Sequence, residues 1–354
     1  MKKNLLFLAL AAALCGCTAP QNADNDALMM CVGTYTRGSA SHGLYSISFN
    51  QSSGEWNIVD SAKVDNPSFA AIHGDMLYCV SESGEDTAAI CAFTFKDGHF
   101  TAINSVPTKG ASPCHVAVIG DKVVAANYSS GSISVIPRDT VCALVGEAEV
   151  MTFNNGSRVD TLRQNVSHLH TIMPIAGTNG KYYAADLGGD CLYLLGEKCD
   201  TIALPAGCGP RHIAFGEKNI MYVVTEISDE VLVLDIENLA APKLIQQLPI
   251  SGINPHGGAD IHLSADGKFL YASERLENDG LGIFAVHPDG TLQSVGYQQT
   301  GIHPRNFAIT PNGKFVLVAC RDSNCVEIYS RGEDGLLTLK DKITLPAPVQ
   351  CLFK

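Results

Sequence analysis

Asp260-Ile261-His262-Leu263-Ser264-Ala265-Asp266-Gly267-Lys268-Phe269-Leu270-Tyr271-Ala272-Ser273-Glu274-Arg275 decides the fold. It reads as a short strand, an Asp-Gly turn, and a second, apolar strand that ends on polar residues. The second half of this unit recurs along the chain, as Met30–Tyr35, Leu77–Glu82, Val123–Tyr128, Tyr182–Asp186, Met221–Glu226, Phe269–Arg275 and Phe315–Arg321. The starts lie 47, 46, 59, 39, 48 and 46 residues apart. Four-stranded propeller blades repeat at roughly 40–50 residues, so the period predicts seven blades.

A shorter strand precedes every copy but the first: Phe69–His73, His115–Ile119, His170–Pro174, His212–Gly216, Asp260–Ser264 and Asn306–Thr310. The missing partner stands at the far end of the chain, in Val349-Gln350-Cys351-Leu352-Phe353. The sequence therefore predicts an all-β, seven-bladed β-propeller closed by pairing of the C-terminal strand with the N-terminal blade. Closure removes two open sheet edges. Sustained i, i+3, i+4 apolar patterns are nearly absent, so few helices are expected. Thr140–Gln164 is the one long irregular stretch and accounts for the 59-residue spacing. A long excursion of this kind is either a functional loop or a poorly ordered one.

The first 16 residues read as a lipoprotein signal peptide, with Lys2 and Lys3 ahead of an apolar run from Leu5 to Leu14. Leu14-Cys15-Gly16-Cys17 resembles a lipobox, which makes Cys17 the lipidated first residue of the mature chain. Residues 17–27 are polar and read as a flexible tether, leaving 28–354 as one propeller domain. Loss of Lys2 and Lys3 takes the formal charge from −12 to −14. An acidic chain with no basic cluster excludes nucleic acid and anionic lipid as partners. The membrane is then met only through the N-terminal anchor, on the periplasmic side or cell surface, and the chain is expected to be a monomer. Most cysteines sit in apolar strands, where Cys acts as a small hydrophobe. No CxxC pair is present, so no zinc site is expected; with no P-loop, H-E-x-x-H or EF-hand pattern either, no other metal or cofactor is expected. Cys320 and Cys325 flank a four-residue turn, and either a disulfide or two buried thiols is compatible with that spacing.

Propeller geometry brings the starts of inner strands and the ends of second strands to one mouth. That mouth receives His115, His170, Arg211, His212, His256, Asp260 and Arg305 from the first group. Glu82, Asn127, Asp186, Glu226, Arg275 and Arg321 come from the second. The other mouth receives turn residues such as Asp266-Gly267 and Asn312-Gly313.

The stretches Gly33-Thr34-Tyr35-Thr36, Asn66-Pro67-Ser68, Ala126-Asn127-Tyr128, Asp186-Leu187-Gly188, Gly209-Pro210-Arg211-His212, Ala259-Asp260-Ile261-His262 and Pro304-Arg305 are spread over the mature chain. Together they resemble the lactonase family of seven-bladed propellers, which includes 6-phosphogluconolactonases and 3-carboxy-cis,cis-muconate lactonizing enzymes. The resemblance implies a carboxylic ester hydrolase of carbohydrate metabolism with His170, Glu226, Arg211 and Arg275 as catalytic residues, His168 being an alternative to His170. Ser273-Glu274-Arg275 departs from the Asn-Arg more often found there. His115, Asn127, Asp186, His212 and Arg305 are the further substrate-binding candidates at the mouth. For lactone hydrolysis, His170 or Glu226 would be the base and the arginines would bind an anion or the oxyanion. The alternatives are a muconate-type cycloisomerase and a non-catalytic propeller that binds a ligand or partner.

Overall fold

The computed structural model describes residues 26–253 and 256–354; the signal peptide, Cys17 and nearly all of the tether lie outside the described residues. The described residues form seven four-stranded antiparallel sheets. The inner strands are Pro348–Phe353, Ala70–His73, Pro113–Ile119, Leu169–Pro174, Pro210–Phe215, Gly258–Leu263 and Pro304–Ile309, taken from the first blade to the seventh. Second strands follow at Ala27–Thr34, Met76–Ser81, Lys122–Asn127, Tyr182–Asp186, Ile220–Thr225, Phe269–Glu274 and Phe315–Cys320. No helix among these residues is long and apolar enough to cross a membrane.

Burial explains why the second strands dominate the sequence pattern. Met76–Ser81, Ile220–Thr225, Phe269–Glu274 and Phe315–Cys320 are buried at every position. A strand covered on both faces reads as a continuous apolar run instead of an alternation. The covering comes from the neighbouring blade. Met30, Val32, Ile47 and Phe49 of the first blade pack with Leu317, Ala319, Val326 and Ile328 of the seventh. Cysteines fill small gaps in these interfaces as free thiols, Cys31, Cys79 and Cys351 among them. Cys320 and Cys325 stand directly opposite each other in the seventh blade, both as free thiols.

The ring closes as the repeat requires. Val32 pairs with Cys351 and Gly33 with Gln350. The Gln350 side chain then reaches the next blade, accepting from Ala70 N–H at 2.6 Å and donating to Ala70 O at 3.1 Å. Gly33 is needed for this closeness, because a Cβ there would lie 2.3 Å from the Pro67 carbonyl oxygen.

Candidate active site

Each second strand leaves the same mouth through one equivalent residue. Tyr35, Glu82, Tyr128, Leu187, Glu226, Arg275 and Arg321 each donate a backbone N–H to a carbonyl just ahead of the inner strand of their blade. The acceptors are Ala347, Asn66, Ser112, His168, Gly209, Gly257 and His303. Two residues beyond each acceptor, six of the inner strands bulge. The pairing register slips at Cys114, His170, Arg211, Arg305 and Val349, and across Ala259 and Asp260 in the sixth blade. A bulge leaves its extra residue unpaired and re-aims the side chain. The mouth is thus built from two stacked rings, one of strand-exit residues and one of bulged residues.

Glu226 of the exit ring is the hub. Its Oε2 accepts from Arg211 Nε at 2.8 Å and from Arg275 Nη2 at 2.9 Å; its Oε1 accepts from Arg163 Nη2 at 2.6 Å. Arg163 also donates to the Tyr128 hydroxyl at 2.9 Å. Arg211 is buried and donates a further bond to the Ala259 carbonyl. Burial alone would raise the Glu226 carboxyl, but Arg275, Arg211 and Arg163 outweigh it and hold the group far below the usual carboxylate range. Arg305 lies over the Tyr35 ring, 5.5 Å from its centroid, and the Tyr35 hydroxyl donates to Glu82 at 3.0 Å.

His170 is buried beside this cluster. Burial depresses its basicity, and Arg211, His212, Arg305 and Arg275 depress it further, so the imidazole is neutral near pH 7. His168 takes a different place. It stacks on the Tyr128 ring at 4.4 Å with Nδ1 2.9 Å from the Tyr128 carbonyl oxygen, whereas His170 meets the same ring edge-on at 5.8 Å. Residues two apart share a face in a regular strand; the bulge at His170 lets the two rings take different places.

The family profile for the lactonase seven-bladed β-propeller matches residues 29–353. The chain belongs to that family. It is 32% identical over 326 residues to a 6-phosphogluconolactonase of Formosa agariphila, covering 85% of this chain and 92% of the relative. The crystal structure of a candidate 6-phosphogluconolactonase from Bacteroides fragilis superposes with a TM-score of 0.89 at 39% identity, over 95% of this chain and all of that one. The Pseudomonas aeruginosa periplasmic gluconolactonase gives 0.86 at 27% identity, over 92% and 99% of the two chains. Family members with these names are lactone-cleaving carboxylic ester hydrolases.

In this lactonase propeller the four residues put forward as catalytic, His170, Glu226, Arg211 and Arg275, share one mouth. The other mouth residues divide. Arg305 joins the bulged ring. His212 lies one residue deeper, as does His115, which stacks on Phe69 at 3.9 Å and lines the central channel. Asn127 and Asp186 turn into their own blades. Asn127 donates to Ser132 and Ser134, and Asp186 accepts from the backbone of His168 and Gly189 and from Tyr193. Both are one residue short of the exit position, which Tyr128 and Leu187 hold, and one residue along a strand reverses the face. His256 stays at the surface, 3.9 Å from Glu277.

Arg163 was not foreseen from the sequence. The Thr140–Gln164 excursion delivers it. Glu149–Thr152 forms the outer strand of the third blade, and the chain then returns across the mouth. Gln164 anchors the return, donating to Leu187 O at 2.9 Å and Asp190 Oδ1 at 2.6 Å. The 59-residue spacing was the only signal that something extra lay there. Among the described residues, no cluster of three or more His, Cys, Asp or Glu could hold a metal ion.

Proposed function

We propose that this chain hydrolyses a sugar lactone at the Glu226 mouth. The observation that carries this reading is the gathering of three guanidinium groups on one buried carboxylate, beside a buried, neutral histidine. Lactone hydrolysis places negative charge on the carbonyl oxygen when water adds, and yields a carboxylate product. A guanidinium has five N–H donors in a fixed fork, and Glu226 takes one from each of Arg163, Arg211 and Arg275. Glu226 is therefore the organiser of the anion site. Its lone pairs are committed to arginines, which makes it a poor proton acceptor. His170, neutral at pH 7 and next to Arg211, serves as the proton carrier to the leaving alkoxide.

The names of the relatives point to aldonolactones, with or without a phosphate. We place the chain outside the cytoplasm, with residues 1–16 as signal peptide, Cys17 as lipid anchor and 17–27 as tether. The periplasmic gluconolactonase among its structural neighbours supports that placement. An exported enzyme meets unphosphorylated lactones, so glucono-1,5-lactone is expected to be a better substrate than its 6-phosphate. Proton release measured over a panel of plain and phosphorylated aldonolactones tests the proposal. Turnover on none of them would turn the reading to a ligand-binding propeller.

Arg163 provides a finer test. Its side chain is 38% exposed, against 1% for Arg211. An exposed partner contributes little to folding, yet it can grip a ligand anion. Arg163→Ala is expected to lower kcat/KM by about ten- to a hundredfold, the worth of one charge-assisted hydrogen bond. The melting temperature should stay within about 2 °C. Unchanged kinetics would remove Arg163 from the site.

A further inference from the structure

Beneath the arginine ring lies a His–Asp pair. His212 follows the bulged Arg211 and points deeper into the channel. Its Nδ1 is 2.7 Å from Asp260 Oδ1, and its Nε2 is 3.4 Å from Arg211 Nη1. Asp260 Oδ2 is held by Asn306 Nδ2 at 2.6 Å, His262 Nε2 at 2.8 Å and the Phe307 N–H at 3.2 Å. Burial would raise the Asp260 carboxyl, but His262 and His212 keep it ionised. An ionised carboxylate facing Nδ1 places the ring proton there and leaves the lone pair on Nε2, toward Arg211.

His170, Arg211 and His212 share the wall of a cavity of about 10 Å³, completed by residues that include Ser68, Arg305 and Asn306. That is about the space one water needs, and polar groups surround it. The His170 Nδ1 is buried and meets no hydrogen-bond partner among the described residues. The rings of His170 and His212 stand 5.2 Å apart at 64°.

We propose that His212, oriented by Asp260, is the general base of the hydrolysis, and that the cavity between His212, His170 and Arg211 seats the attacking water. This rests on the lactone-hydrolase reading. One water proton passes to His212 Nε2 while the water oxygen bonds to the lactone carbonyl carbon. The carbonyl π pair moves onto its oxygen, facing the guanidinium groups. Collapse re-forms the carbonyl and breaks the ring C–O bond, whose electron pair stays on the departing alkoxide. The proton held by His212 then reaches that alkoxide through His170. Water is consumed, a hydroxy acid is formed, and no other reactant is needed.

The charged and titratable groups around His212 come from several blades. They are Arg211 on its own strand, His115, His170, Arg305, and Asp260 with His262. Burial and Arg211 lower His212 to about 4, with Asp260 pulling the other way. The imidazole is therefore unprotonated over the working range, as a base must be.

The test uses the full chain and whichever of glucono-1,5-lactone and its 6-phosphate it hydrolyses. Asp260→Asn and His212→Asn are expected to lower kcat by about 10²- to 10⁴-fold, with KM nearly unchanged. Wild-type kcat/KM should hold as pH falls and drop only on approach to about 4, where His212 protonates. Asp260→Asn should move that limb to lower pH, because the amide no longer supports the imidazolium. His212→Gly should regain turnover with added imidazole, which a purely structural histidine would not show. Folded variants that keep wild-type kcat and pH profile would overturn the proposal and leave the lactonase reading standing. Should the variants fail to fold, a wild-type acid limb centred near the ordinary histidine value of about 6.5 would also overturn it. A wild type inactive on every lactone would instead sink the reading beneath it.

Discussion

Glu226→Ala is expected to abolish lactone turnover and to cost more stability than any other single change at the mouth. Glu226 is the shared acceptor of Arg163, Arg211 and Arg275. Two of those guanidinium groups, on Arg211 and Arg275, are themselves buried. Removing one partner of a buried pair leaves its charge uncompensated, typically at about 3–5 kcal/mol. The same loss frees the arginines to repel one another and leave the geometry that binds an oxyanion, and a single such donor is worth about 10²- to 10³-fold in kcat. A fall in kcat/KM of at least about a thousandfold is expected from losing their common anchor. Glu226→Gln separates charge from shape. Its amide can still accept one bond but cannot balance three cations, so it should lie close to the alanine variant. The pH dependence has a definite sign. The folded-state carboxyl is far below its ordinary value of about 4.3 because the arginines outweigh burial. Its stabilising contribution is thus complete above that value and is lost as pH falls toward the folded-state one. Melting temperatures of wild type and Glu226→Gln should differ most at neutral pH and converge toward acid. A gap that stays constant down to pH 3 would show that the carboxylate charge is not what holds the arginines.

Much of this mouth is legible in the sequence alone. The period of the apolar strands points to seven blades; the ends of those strands put Glu226 and Arg275 at one mouth, and the start of an inner strand puts Arg211 there. What the pattern could not resolve was register. The apolar run stops at Asn127 and Asp186 as visibly as at Thr225, yet the residue that leaves the blade is the following one. The hydrogen bond from that residue to the carbonyl ahead of the inner strand fixes this in every blade. A finer motif was available. Asn66-Pro67-Ser68, Ser112-Pro113-Cys114, Gly209-Pro210-Arg211, His303-Pro304-Arg305 and Ala347-Pro348-Val349 all place a residue of positive φ before a proline. The residue after that proline is the bulged one in four of these five, Cys114, Arg211, Arg305 and Val349. Read as a repeat, this motif picks out both Arg211 and Arg305 and separates them from His115 one level down. Arg163 has no such signature. It reaches Glu226, 63 residues away in sequence, because the buried amide of Gln164 ties the returning chain to Asp190. No periodicity encodes a contact of that kind.

Deleting residues 347–354 should leave no folded protein at all. The last strand makes up only one of the 28 among the described residues, and a loss of eight residues from a terminus is often harmless when the backbone there is frayed. Here the backbone is not frayed. Val349 and Cys351 are 1% and 3% exposed, and the segment from Met30 to Thr34 pairs with this strand. Its backbone and side chains also tie in the blades on either side. Gln350 holds Ala70 of the second blade, Cys351 N–H donates to Asn306 Oδ1 of the seventh at 2.8 Å, and Lys354 Nζ reaches Asp75 at 2.6 Å. Without the strand, the first blade keeps three strands and presents the edge of Ala27–Thr34 to the channel. The inner strands of the second and seventh blades lose the neighbour between them. Open edges of this kind pair with other chains, so the truncated protein should move from the peak of the full chain to aggregate in size-exclusion chromatography and lose its cooperative melt. A synthetic peptide spanning residues 346–354 would restore both if added during refolding, because strand addition supplies the same main-chain bonds in trans. A truncated chain that melts cooperatively within a few degrees of the full one would mean that the blades hold their ring without this closure. The shared mouth of His170, Arg211, Glu226 and Arg275 would then owe its geometry to packing between blades alone.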